Sequence, residues 1–197
     1  MADPIPPYFV LFAADRIPTQ IDHTQANPGG EGTGGHTGVL FDGRGALTFV
    51  SDTSDPRPDG TVAFFFRSVN VIFRLTDFAV AVSSDYPVGS CAYDATLRHE
   101  INAHVRGPIG IMYGFRDPLI ARLNTVRLPI RAAPQRVPQT DVARIQSAFQ
   151  QQVFNIVAGF RRDVSRALAA DRTRQDSRAS YQRVYDQCPA VEWRRGS

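Results

Sequence analysis

The hydrophobic positions along the chain follow two different periods. Residues 8–14 (YFVLFAA) form an unbroken apolar run ended by Asp15, the length of a buried strand. Residues 27–38 (NPGGEGTGGHTG) are rich in glycine and read as a mobile loop. From there to residue 85 the pattern is β-like. GVLFDGRGALTFVSD sets a glycine-containing turn between two apolar runs, and TVAFFFRSVNVIFRL and FAVAVSSDYP follow as further strands. Val69, Val71 and Phe73 alternate along one face, and β-branched and aromatic residues dominate. These features predict a small, mostly antiparallel sheet.

After residues 86–89 (YPVG) the period changes. Ser90 is a good N-cap, and 91–106 contain neither glycine nor proline until Gly107 and Pro108 stop the run. Leu97, Ile101 and Val105 fall four apart, which predicts an amphipathic helix. A proline-rich connection (LPIRAAPQRVPQ) leads to a second helix, capped at Thr140, free of breakers until Gly159 and continuing to about Thr173. Residues 181–188 add a last helical turn or two before a tail over 189–197. A β-rich half (1–89) followed by a helical half (90–188) predicts an α+β fold in a single domain over 1–197, without internal repeats.

Composition adds little to the fold but narrows the chemistry. In 197 residues the formal charge is +3, and every one of the 22 basic residues is arginine. Arginine suits phosphate and carboxylate contacts, but these arginines are spread along the whole chain, so a nucleic-acid partner is not expected. No stretch has the roughly 20 apolar residues of a membrane span. The opening MADPIPPYFVLFAADR lacks a basic region ahead of its short apolar run and is not an intact signal peptide. The two cysteines, Cys91 and Cys188, are either a disulfide of an oxidising compartment or two unpaired thiols. A Walker-type phosphate loop is excluded for want of any lysine, GGEGTGG lacks the strand–turn–helix setting of a dinucleotide fingerprint, and no G-x-S-x-G elbow occurs.

The chemistry concentrates at residues 99–104, HEINAH, inside the first predicted helix. Two of the four histidines flank a glutamate there. The zinc motif of metallopeptidases is H-E-x-x-H, whose histidines lie four apart on one helical face. Here Ala103 stands where the second histidine should be, and His104 arrives one residue late. On an α-helix, residues four apart differ by about 40° around the axis and residues five apart by about 140°. His99 and His104 can therefore share an ion only if the helix takes in an extra residue, as a π-bulge does. Without one, they are surface histidines and Glu100–His104 is an ordinary side-chain pair. Cys91 could alternatively be a thiol nucleophile with His99 as base, unless it is paired.

HEINAH resembles the H-E-x-x-G-H of the dipeptidyl-peptidase III family, zinc peptidases whose motif carries the same additional residue. Across 68–104, strands ending in DYPVGSC, then AYDATLRHE and a nearby histidine, are similar to small bacterial zincin-type proteins of predicted metallopeptidase function. Such proteins place one cysteine at the start of the motif helix and another near the C-terminus, which correspond here to Cys91 and Cys188, the latter preceded by Tyr181 and Tyr185. The resemblance implies a zincin-like fold and a zinc peptidase of the periplasm or exterior, acting on a peptide or protein.

In that reading His99 and His104 bind zinc and Glu100 is the general base. The third ligand must come from a downstream carboxylate, with Asp163, Asp171, Asp176, Asp186 and Glu192 as candidates. Asp176 is preferred, because it lies just before the segment that a Cys91–Cys188 disulfide would draw towards the motif helix. Tyr181 or Tyr185 would donate to an oxyanion. The alternatives are a non-catalytic binding or structural protein on the same fold, and an interbacterial effector toxin.

Overall fold

The structure, a computed structural model, describes residues 7–18, 20–29, 34–42 and 47–193. The turn expected at 43–46, part of the glycine-rich loop (30–33) and the end of the tail (194–197) lie outside the described residues. The fold is α+β. Five strands form one sheet: β1 (Tyr8–Ala14), β2 (Gly35–Asp42), β3 (Leu47–Ser54), β4 (Thr61–Val82) and β5 (Gln135–Pro138). Helices are α1 (Cys91–His99), α2 (Gly107–Gly114), α3 (Arg116–Leu123), α4 (Val142–Gln175) and α5 (Arg178–Tyr185), with a π-helical turn over Glu100–Arg106 between α1 and α2.

The sheet is organised around β4. β2, β3 and β5 pair with it antiparallel, whereas β1 runs alongside in the same direction, Val69 N–H donating to Pro7 O and Asp15 N–H to Leu75 O. The sheet is therefore mixed. The two apolar stretches expected as separate strands are one strand of 22 residues. Two β-bulges let it continue: its partners skip one β4 residue near Arg67 and another near Asp77. Asp77 has φ 57°, the left-handed value that such a bulge uses to absorb a residue. The glycine-rich stretch is likewise not all loop, since Gly35 to Gly38 belong to β2 and pair with Val82 to Ala79. The proline-rich connection holds β5, and α4 begins at Val142 after a short 3₁₀ turn over Gln139–Asp141.

The chain divides into two compact units: Met1–Ala13, Gly43–Phe73 and Gly114–Asp163 in the first, and Ala14–Asp42, Arg74–Tyr113 and Val164–Ser197 in the second. In the first, Phe64 pairs with Thr53 of β3 on one edge and Gln135 of β5 on the other. Its core is aromatic: Phe160 of α4 packs on Phe73 with ring centroids 4.7 Å apart, and on Phe12 at 5.9 Å. Arg122 of α3 ion-pairs with Asp163 at 2.8 Å.

The second unit carries the HEINAH motif. Ser90 caps α1, its hydroxyl accepting from Tyr93 N–H at 3.2 Å, and Val82, Tyr86, Ala92 and Tyr93 form a small core. Cys91 and Cys188 are disulfide-bonded, with Cα atoms 5.7 Å apart. The bond holds the chain beyond α5 to the start of α1 and excludes a free Cys91 nucleophile. Two expectations for the motif helix are corrected. Gly107 and Pro108 do not stop it; they open α2. Pro108 has no N–H to give and its ring needs room in the preceding turn, and the wide π turn provides that room. The buried face is also wider than Leu97, Ile101 and Val105. Val105 is fully buried and Leu97 and Ile101 are half-buried, while Ala92, Thr96, Glu100 and Ala103 are buried as well, β2 packing on the π turn and bringing polar partners with it. Among the described residues no helix is long and apolar enough to cross a membrane.

Candidate metal centre

The spacing of the motif is resolved by the backbone. From Glu100 to Arg106 the helix is π-helical, and it closes with Gly107 N–H donating to Asn102 O, five residues back. In such a turn residues five apart take the stacked positions that residues four apart hold in an α-helix. His99 and His104 consequently face each other, ring centroids 5.1 Å apart and planes at 81°. Ala103 is the residue the turn accommodates, and it is buried.

Glu100, between the two histidines in sequence, is only 1% exposed. β2 clamps it. Thr37 Oγ1 donates to Glu100 Oε2 at 2.7 Å, and Gly35 passes so close that a Cβ there would sit 2.6 Å from Glu100 Oε1 and 2.7 Å from Thr96 Cγ2. Only glycine permits that approach. Burial pushes the Glu100 carboxyl up to about 7; the Thr37 hydrogen bond and Arg172 pull against this, and Asp176 adds to it. Both histidines are held below their ordinary value, first by burial. For His99 the nearby His104 adds to the fall, whereas the negative Asp176 partly offsets it at both.

Asp176 completes the cluster. Its Oδ1 lies 3.2 Å from His104 Nε2 and its Oδ2 3.5 Å from Arg172 Nε. The Tyr181 ring lies 5.3 Å from that of His99, and burial, with Glu100 and Asp176 nearby, raises its hydroxyl to about 12. α5 reaches this position through the disulfide and its own Ser177 cap, whose hydroxyl accepts from Ser180 N–H. His99 Nε2 is buried with no hydrogen-bond partner among the described residues. An orphaned buried nitrogen costs about 1–3 kcal/mol unless something occupies it.

The donor atoms of His99, Glu100 and His104 all lie within 4.8 Å of one another, and this group could hold a metal ion. Two donors on one tetrahedral zinc, each about 2.0–2.1 Å from it, stand about 3.4 Å apart, so modest side-chain rotation would close the set. Neutral histidines, an orphaned nitrogen and an adjacent carboxylate suit a divalent cation. Scans against protein-family models, curated proteins and solved structures returned no match.

The other candidates from the sequence lie elsewhere. Asp163 belongs to the first unit, paired with Arg122. Asp171 is buried near the end of the π turn but is engaged by Arg174 and Gln175. Asp186 accepts from Gln182 at the end of α5, and Glu192 accepts from Ala92 N–H at the start of α1. Tyr185 packs on Trp193, centroids 4.8 Å apart. His23 is half-buried, with Nε2 2.9 Å from Tyr86 O, whereas exposed His36 lines the cleft over the cluster. That cleft, of ≈ 280 Å³, is also walled by Thr37, Glu100, His104, Asp176 and Tyr181. Thr37 and Gly35 escaped sequence reasoning because no local signal marks them; their role depends on β2 meeting Glu100, which lies 63 residues beyond Thr37.

Proposed function

We propose that the chain is a zinc-dependent hydrolase of zincin-like type that cleaves peptide bonds. The observation that carries the reading is the π turn, which faces His99 towards His104 beside a buried glutamate. His99 and His104 would hold the metal, with Asp176, whose Oδ1 lies 3.2 Å from His104 Nε2, as third ligand and Glu100 left free as base. Zinc supplies a Lewis acid for the scissile carbonyl and makes water nucleophilic near pH 7. Thr37 fixes one oxygen of Glu100, leaving Oε1 to take a proton from the attacking water and pass it to the leaving nitrogen. Tyr181, protonated at neutral pH, donates to the oxyanion. β2 ends the strand order β1–β4–β2, so no described strand pairs with its outer edge, and an extended peptide can add there. The disulfide supports action in the periplasm or outside the cell.

Metal analysis of protein purified without added metal tests the site. One zinc per chain is expected, lost in both His99→Ala and His104→Ala. Unchanged zinc in both variants refutes the site. Glu100→Gln should keep the zinc and lose peptide hydrolysis by about 10²–10⁴-fold. Zinc without hydrolysis of any peptide by the wild type would instead leave a non-catalytic metal-binding protein.

A further inference from the structure

A second cavity, of ≈ 250 Å³, opens beside His104. It shares Thr37, His104 and Arg172 with the cleft over the cluster, so the two adjoin. Its remaining wall is mostly apolar, with Val39, Phe41, Leu75, Ala103, Leu168 and Ala169 supplying the surface. We propose that this cavity is the subsite for a substrate side chain next to the scissile bond, and that it selects peptides with an aliphatic or aromatic residue there. The proposal rests on the hydrolase reading above.

Size, shape and charge agree. The volume falls below the range of about 300–1,000 Å³ of sites that enclose a whole drug-sized ligand, which suits one side chain entering from the cleft. Ala103, the residue that lengthens the motif, supplies a methyl group to the wall. The π turn therefore has two effects: it turns His104 towards His99, and it leaves a small side chain where a larger one would fill the cavity. The acid in the wall, Asp171, is ion-paired with Arg174. The Arg172 guanidinium stands at the shared rim, its side chain 67% exposed. Arg172 in turn is paired with Asp176, so both acids near the cavity already have arginine partners, which favours an uncharged side chain over a lysine or arginine.

The test begins without metal. Methyl NMR of the metal-free full chain is recorded with N-acetyl-leucine methylamide and with N-acetyl-glycine methylamide. The leucine compound should shift the Ala103, Leu168 and Ala169 methyl signals and the glycine compound should not. Ala169→Phe, at an exposed α4 position that can fill the cavity without disturbing the core, should abolish the Leu168 shift. Equal responses to both compounds, or no response at these methyls, overturns the subsite. With zinc-loaded protein, peptides carrying leucine beside the scissile bond should exceed glycine peptides in kcat/KM by at least about tenfold. That preference should shrink in Ala169→Phe at unchanged zinc content. Cleavage that ignores this side chain also overturns the subsite while sparing the hydrolase reading. Leucine-specific shifts without cleavage of any peptide overturn the hydrolase reading and leave the cavity as a side-chain-binding site.

Discussion

Glu100→Gln should make the metal-free protein more stable, and the gain should grow with pH. Glutamine keeps the shape of the side chain and can still accept the Thr37 hydroxyl, but it carries no charge into a position 1% exposed. Raising the carboxyl from 4.5 to about 7 costs its ionised form roughly 3 kcal/mol, at 1.36 kcal/mol per tenfold. The sign follows from linkage. A carboxyl whose folded pKa is raised contributes its stability below the unfolded value of 4.5, and loses it as pH rises through about 7. The variant should therefore match the wild type to within about 1 kcal/mol at pH 5 and exceed it by about 3 kcal/mol at pH 8. Urea unfolding of both proteins in chelator, at the two pH values, measures the difference. An advantage that is the same at pH 5 and pH 8 would refute the assignment of a desolvated carboxylate here.

Three further outcomes follow from the clamp on Glu100 and the disulfide. Thr37→Val removes the hydrogen bond that holds the Glu100 carboxyl down, so the acid limb of kcat/KM against pH should move to higher pH; an unmoved limb rejects Thr37 as the positioning group. Gly35→Ala forces a Cβ to within 2.6 Å of Glu100 Oε1 and should cost about 1–3 kcal/mol in urea unfolding. Gly38→Ala, whose Cβ would meet only Ala79 Cβ at 3.8 Å, should stay near the wild type. Replacing Cys91 and Cys188 together by serine opens a loop spanning 97 residues; in the chain-entropy view this lowers stability by about 4–5 kcal/mol, read as a lower urea midpoint.

Local signals carried much of this fold. Ser90 marked the start of the motif helix correctly, β1 stood out as an apolar run, and α4 continued through Gly159 as its pattern suggested. What was not legible depends on partners distant in sequence. Asp77 looks like a break between two strands, and only pairing with β2 reveals a bulge inside one. Gly35 and Thr37 sit in a stretch that reads as loop, yet β2 forms there because β4 offers an edge to pair with. The buried face of the motif helix was legible only in part, through Val105: Thr96 and Glu100 are polar, and only β2 makes their burial tolerable. At the site, the spacing of His99 and His104 posed the right geometric question, while the backbone that answers it could not be read from residue types alone. Asp176 was chosen for its closeness to a segment that a disulfide would tether, and it does lie against His104.

Deleting Ala103 would write His-Glu-Ile-Asn-His, the common zinc spacing, and an α-helix would again align both imidazoles. The residues after the deletion would keep their places, because five residues of the π turn cover what four cover in an α-helix. Val105 and Met112, both fully buried, would stay against the surfaces they fill. The ordinary motif is thus one deletion away, and the longer spacing amounts to a single residue taken into the helix without disturbing what lies on either side.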